Sequence, residues 1–337
     1  MTDRSSLAGR DYIETLDWSV EEIDEALAVA GELKATFKAD EPHRLLPDKT
    51  LFMLFLDKST RTRNAFEAGM TQLGGHAHYL DAEKTQVAHG ESPKDMGIIL
   101  SRYGHGLAIR HDLVPGEGNT YMREVARWAD VPVINLQCDV DHPTQTLADL
   151  MTLREHRGAD LRGLKVAVTW AFAPSYAKPM SVPQGLAALL PRFGIDVVLA
   201  HPPGFELLPD LMARAQEAAA EGGGSIAFAD DMDEAFRGAD VVYPKSWGRL
   251  DLFGNQAAAL ADAARYEDWI CDARRMGLAS DDAVYMHCLP ADRGSEVTDE
   301  VIDGPRSIVY DEAENRLHTG KALMALTMGG FSERPLG

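Results

Sequence analysis

Short apolar runs and helically spaced apolar positions alternate along this chain, and polar residues gather at the junctions between them. Residues 51–56 form a continuous apolar run, which predicts a buried parallel strand. Phe66, Met70 and Leu73 then recur at helical spacing and predict a helix over 64–73. Ahead of that strand, Ser19 and Glu22 match a capping box, and Ile23, Leu27, Ala30, Leu33 and Phe37 continue it as an amphipathic helix. Further strands are predicted at 77–80, 107–109 and 132–136, with helices at 93–103, 120–128 and 143–156. Residues 83–91 follow neither period and read as a polar loop.

The pattern restarts near 161–163. Strands are predicted at 164–170, 196–200, 225–228, 241–242, 283–286 and 308–310, and helices at 184–193, 208–220, 232–236 and 315–328. Residues 173–183 hold three prolines, too many for the interior of a strand or helix, and read as a loop. Serial β-α units predict an α/β fold of two doubly wound parallel sheets joined by helices, with ligand groups at the C-terminal strand ends. A chain of 337 residues calls for two domains, because single cores stop growing at about 250–300 residues. They are placed at 1–150 and 151–314, followed by a C-terminal helical segment at 315–337.

Charge narrows the partners. A formal net charge of −20 argues against nucleic acid or an anionic membrane, either of which needs a basic face. Any concentrated basic pocket becomes more informative for the same reason. No apolar run approaches the roughly 20 residues of a membrane helix, and the N-terminus lacks a signal-peptide core, so a cytoplasmic protein is expected. Cys138, Cys271 and Cys288 are widely spaced, and no HExxH or paired-cysteine motif occurs, so neither a metal nor a cofactor is expected.

Ser59-Thr60-Arg61-Thr62-Arg63 stands where the first strand becomes a helix. Unpaired N–H groups, a positive helix end, hydroxyls and two guanidinium groups would converge there, and phosphate is the natural guest. Arg110 and His142 also follow predicted strands, so all three segments can share one crevice.

Five motifs then fall in order: S-T-R-T-R at 59–63, T-Q-V-A-H-G-E-S at 85–92, H-P-T-Q at 142–145, H-C-L-P at 287–290 and E-N-R-L-H at 314–318. With them the chain resembles the aspartate/ornithine transcarbamylase superfamily over nearly its whole length. The resemblance implies a carbamoyl-phosphate domain and an amino-acid domain, a last helix that returns to the first domain, and a homotrimer with shared active sites. It implies that Ser59, Thr60, Arg61 and Thr62 hold the phosphate, with Arg316 a further contact. Arg110 would bridge toward the carbonyl oxygen, His142 and Gln145 would orient the carbamoyl group, and the main chain at Cys288 and Leu289 would accept from its amide. Gln86 would be lent by a neighbouring subunit.

The second substrate is an amino-acid acceptor. Tyr243-Pro244-Lys245-Ser246-Trp247-Gly248 and the proline-rich loop are similar to the knotted branch that uses N-acetylornithine or N-succinylornithine, which implies a knotted loop in the second domain. Lys245 is the expected partner of an acceptor carboxylate. After H-C-L-P, however, Asp292 and Glu296 stand where that branch carries a basic pair, and reversed charge favours an acceptor with a free amine, such as a diamino acid. The chain is more similar still to a bacterial knotted branch of unsettled substrate. Two rival readings are phosphorolysis of a ureido compound and a catalytically silent carbamoyl-phosphate-binding subunit. A nucleotide-binding protein would need G-x-G-x-x-G or G-x-x-x-x-G-K-[ST], and neither occurs.

Overall fold

The computed structural model describes residues 4–112 and 114–331, so the last part of the predicted 315–337 segment lies outside the described residues. The chain divides into two compact units, residues 1–151 with 314–337, and residues 152–313. Each is built on a parallel sheet.

In the first unit the strands are β1 (Thr50–Phe55), β2 (His76–Asp81), β3 (Gly106–His111) and β4 (Val133–Cys138), in spatial order β2-β1-β3-β4. The helices are α1 (Val20–Lys38), α2 (Arg61–Gln72), α3 (Pro93–Tyr103), α4 (Gly118–Trp128) and α5 (Pro143–Arg157). Ser19 and Glu22 form the capping box expected at the start of α1. Ser92 caps α3 with Pro93 in its first turn, which suits the fixed φ of proline and its missing N–H. Ile109, Leu54, Met122 and Val133 pack into one core cluster.

The second unit repeats the plan with five strands: β5 (Lys165–Trp170), β6 (Asp196–Ala200), β7 (Ser225–Ala229), β8 (Val241–Lys245) and β9 (Val284–Tyr285), in order β7-β6-β5-β8-β9. Its helices are α6 (Ser181–Leu189), α7 (Pro209–Gly222), α8 (Met232–Phe236), α9 (Gln256–Ala263), α10 (Ala273–Met276) and α11 (Asp299–Ile302). The last helix, α12 (Val309–Thr327), spans the division between the two units, as does α5. Among the described residues no helix is long and apolar enough to cross a membrane.

Several local expectations are corrected. Residues 308–310 are not a strand: Ile308 accepts from Glu312 N at 3.0 Å and opens α12. A three-residue apolar run carries no period, and the helical bonds beyond it decide its state. Residues 83–91 are not featureless, since short 3₁₀ turns occupy Ala82–Lys84 and Gln86–His89, with Thr85 capping the second. Helix α2 starts at Arg61, three residues before the first periodic position was expected. Ser181 to Pro183 form the first turn of α6, and β8 extends to Lys245 despite Pro244.

Both sheets reverse direction at one point. In the first unit the chain leaves β1 toward β2 on one side while β3 lies on the other, with Phe55 beside Arg110 at the strand ends. In the second, β5 lies between β6 and β8, with Trp170 beside Lys245. Crevices for ligands form at such reversals.

Asp141, in the turn from β4 to α5, is buried and fixes the N-terminal segment by accepting from Thr15 N at 2.7 Å and from the Thr15 hydroxyl. Burial pushes its carboxyl up to about 7 against the pull of those donors. A carboxyl raised in the folded state contributes stability in acid that is lost as pH rises through about 7. Asp141→Asn, which has nothing to ionise, is therefore expected to gain on the wild type between pH 4.5 and 8, by on the order of a few kcal/mol in urea denaturation. A difference that does not change with pH would contradict the assignment.

Candidate active site

In the first unit the β1 to α2 junction carries the hydroxyl and arginine segment. Thr60 is the N-cap of α2 and makes no side-chain cap bond, so the first-turn N–H groups of the helix keep their positive end directed at the junction. Thr62 is buried and accepts from Arg316, which α12 supplies from 254 residues away in sequence. The Arg316 guanidinium also lies 3.5 Å from His142 Nε2. His142 opens α5 and its ring Nδ1 lies 3.3 Å from the Thr144 hydroxyl.

Arg110 sits near the end of β3, with its NH2 group 3.0 Å from Asp112, and among the described residues its buried Nε has no hydrogen-bond partner. Gly118 allows α4 to start against this strand end, since a Cβ there would meet the His111 carbonyl oxygen at 1.8 Å. Asp139 pins the same turn by accepting from Gly116 N at 2.6 Å and Asn119 N at 2.8 Å.

Burial, then Arg316, Arg110 and Arg61, hold the His142 imidazole well below its ordinary range. The first unit thus brings Arg61, Arg110, Arg316 and Thr62 around a neutral histidine. Such a cluster can take a multiply charged oxyanion and donate hydrogen bonds to a carbonyl oxygen. Gln145 is fully buried and donates to Asp149 at 2.7 Å. Ser59 is half-buried just before the helix.

One expected member stands elsewhere. Arg63 does not join the other guanidinium groups: it bonds Glu67 at 3.0 Å and lies over the Tyr79 ring at 3.7 Å, because two residues along a helix, roughly 200° of rotation, carry it to the opposite face from Arg61. Gln86 is exposed in its 3₁₀ turn, and among the described residues no hydrogen bond joins its side chain to the arginines.

In the second unit, Lys245 ends β8, is buried, and donates to its neighbour's carbonyl, Ser246 O, at 2.5 Å. Burial lowers its pKa, partly offset by Cys288, Glu296 and Asp292. Trp170 and Trp247 lock this strand end by donating to Trp247 O and Phe205 O, each at 2.8 Å. Cys288 is half-buried, and Leu289 takes a left-handed backbone, φ 54°, seldom adopted by a branched residue. Leu289 N donates to His287 Nδ1 at 2.8 Å.

Glu296 is not an open carboxylate. It is fully buried and accepts from Lys178 Nζ, from Ser246 N at 2.7 Å and from Asp292 N at 2.7 Å. His287 Nε2 lies 3.4 Å away, and burial keeps that ring below its ordinary pKa, so Lys178 is the cation paired with Glu296 at neutral pH. Asp292 is the more open of the two acids: its side chain is 19% exposed, 3.2 Å from Lys178, and accepts from the Ser175 hydroxyl at 2.5 Å. The sequence reading did not single out Lys178. The signal was its place in the loop after β5, at the reversal point of the second sheet.

Among the described residues no group of His, Cys, Asp and Glu side chains is placed to hold a metal ion.

Residues 10–155 match the family model described as aspartate/ornithine carbamoyltransferase, carbamoyl-P binding domain, and residues 177–327 match the Asp/Orn binding domain of the same family. The chain is 39% identical to "Putative carbamoyltransferase YgeW" of Escherichia coli strain K12, over 92% of this chain and 87% of that protein. Ornithine carbamoyltransferase from Pyrococcus furiosus superposes with a TM-score of 0.87 at 39% identity, covering 97% of this chain and 99% of that one. Acetylornithine transcarbamylase complexed with acetylcitrulline gives 0.86 at 36% identity, covering 94% and 98%.

Asp112 makes the arginine cluster sensitive to pH. It is buried, and burial raises its carboxyl to about 6 against the pull of Arg110, with Asp57 raising it further. Above that pH the carboxylate competes with any anion for Arg110. Sulfate, whose own charge is constant over this range, is therefore expected to bind several-fold more tightly at pH 5 than at pH 7.5 by calorimetry, and Asp112→Asn is expected to bind it tightly at both. Survival of the wild-type pH dependence in that variant would locate the titrating group elsewhere.

Proposed function

The chain belongs to the aspartate/ornithine carbamoyltransferase family, and on that premise we propose that it transfers the carbamoyl group of carbamoyl phosphate to the amine of a free diamino acid. The amine nitrogen bonds to the carbamoyl carbon, the bond from that carbon to the phosphate oxygen breaks with its electron pair, and the amine proton leaves. A ureido amino acid and phosphate result. No covalent enzyme intermediate is required.

The convergence of Arg61, Arg110 and Arg316 beside a neutral His142 is the observation that carries this reading. Arg61, Arg316 and the hydroxyls of Ser59, Thr60 and Thr62 hold the phosphate. Arg110 and His142 face the carbamoyl oxygen as charge gathers there, and Gln145 orients the group. Because the imidazole is neutral, it adds a donor or acceptor without adding to the repulsion among three cations. Cys288 and Leu289 supply main-chain acceptors for the carbamoyl amide. Gln86, exposed and without a local role, is the residue one subunit of a homotrimer lends to the next. The reading extends to a knotted loop in the second unit and a cytoplasmic setting.

The acceptor follows from charge. Lys178, Lys245, Asp292 and Glu296 lie within electrostatic reach of one another and sum to zero. A balanced pocket suits a zwitterion, with Lys245 on the carboxylate and Asp292 on the ammonium. Glu296 is withdrawn from that contact by its internal partners. An Nα-acylated acceptor keeps its carboxylate and its reacting side-chain amine but has no α-ammonium, and would leave Asp292 facing an acyl group at a cost of roughly 1–3 kcal/mol. The relatives include enzymes named for either acceptor, so this choice rests on Asp292.

The test is acceptor-dependent phosphate release from carbamoyl phosphate across free and N-acylated diamino acids. Free diamino acids are expected to lead, and Arg61→Ala is expected to lower turnover by at least about 10², because it removes a charge-assisted contact to the anion. An N-acylated acceptor outpacing every free one would overturn the acceptor assignment, and an unchanged rate in folded Arg61→Ala would overturn the phosphate assignment. The same residues serve the reverse reaction, which the release of carbamoyl phosphate from a ureido acid and phosphate would detect.

A further inference from the structure

The proline-rich segment after β5 is tied to the rest of its unit by an ion cluster that the proposed transfer chemistry does not itself require. Lys178, whose side chain is 2% exposed, reaches both Glu296 and Asp292. From the same segment Ser175 donates to Asp292 through its hydroxyl at 2.5 Å, and Gly248 N donates to Lys178 O at 2.9 Å. Glu296 in turn receives Ser246 N, next to Lys245, and Asp292 N. One fully buried carboxylate therefore joins three segments: the loop after β5, the end of β8, and the turn after His287. These are the segments that carry Lys245 and Asp292.

We propose that Lys178 and Glu296 are positioning residues for acceptor selection, setting Asp292 as the partner of a free α-ammonium group. The inference rests on the acceptor reading above. Lys178 holds one Asp292 oxygen and Ser175 the other, so the carboxylate is oriented by two donors while its side chain keeps some exposure. Without a cation at this place, Asp292 and Glu296 would repel each other, and one of them would take up a proton. With it, Glu296 stays ionised and internal: burial pushes its carboxyl up, but the His287 hydrogen bond and the Lys245 and Lys178 charges hold it low. Asp292 is left as the acid available to a ligand. Lysine at 178 thereby turns an acidic pair into a single directed negative charge opposite Lys245.

Removing one partner of a buried ion pair is strongly destabilising, whereas replacing both by neutral groups of similar shape is often tolerated. The informative variant is therefore Lys178→Met with Glu296→Gln, assayed in the full chain beside Lys178→Arg and Ser175→Ala. Three quantities are read: the ratio of kcat/KM for a free diamino acid to that for its N-acetyl derivative, KM for the acceptor, and sulfate affinity by calorimetry. In the double variant the ratio is expected to fall at least tenfold through a raised KM for the free acceptor, with sulfate affinity within twofold of wild type. Ser175→Ala, which removes only a partly exposed bond, is expected to lower the ratio about threefold, and Lys178→Arg to retain most of it.

A ratio unchanged in both the double variant and Ser175→Ala would overturn the inference. So would a parallel loss of sulfate affinity and acceptor use, which marks a purely structural pair. Should the double variant not fold, Ser175→Ala alone decides. A wild-type enzyme that prefers N-acylated acceptors would instead overturn the acceptor reading, an outcome visible before any variant is made.

Discussion

Three guanidinium groups around one buried imidazole repel one another, and that repulsion is the constraint the first unit is built to bear. Coulomb repulsion between unit charges is about 4 kcal/mol at 4 Å for an effective dielectric of 20, so holding such groups together needs rigid supports and an anionic guest. The supports come from four places: α2 supplies Arg61, β3 supplies Arg110, the turn leading into α5 supplies His142 and α12 supplies Arg316. Burial and the cations themselves keep His142 neutral, which removes a fourth charge. Asp112 offsets part of the remainder beside Arg110. A dianionic leaving group fits this arrangement because it satisfies the charge that the fold has gathered.

The second unit solves a different problem with the same topology. Its sheet also reverses beside its first strand, but the charges there nearly cancel, with Lys178 and Lys245 set against Asp292 and Glu296. One unit thus gathers three guanidinium groups with Asp112 beside one of them, and the other sets two cations against two carboxylates. Those are the needs of a phosphate ester and of a zwitterion.

Much of this is legible in the sequence, for physical reasons. Buried parallel strands read as continuous apolar runs, and α1 and α3 announce themselves by capping residues, so the α/β alternation follows from pattern alone. Residues 308–310 fail because three apolar residues fit a strand or a helix equally, and the helix bond from Glu312 to Ile308 is invisible in a local window. Arg61 and Arg63 look equivalent in the sequence, yet they part because Glu67 and Tyr79 are placed to receive Arg63. Glu296 looks like a pocket acid because its burial is set by Lys178, 118 residues earlier in the chain. Reading charge reversal at 292 and 296 without that compensating lysine overstates the acidity of the pocket. Long-range pairing of ions is what local pattern leaves out.

Carbamoyl phosphate labelled with ¹³C at its carbonyl, incubated with the enzyme and an equal mixture of a free diamino acid and its N-acetyl derivative, tests the central claim most directly. Followed by NMR, the label is expected to appear as the ureido carbon of the free amino acid, in step with phosphate release. Label leaving only as bicarbonate, or entering the acetylated acceptor instead, would contradict it.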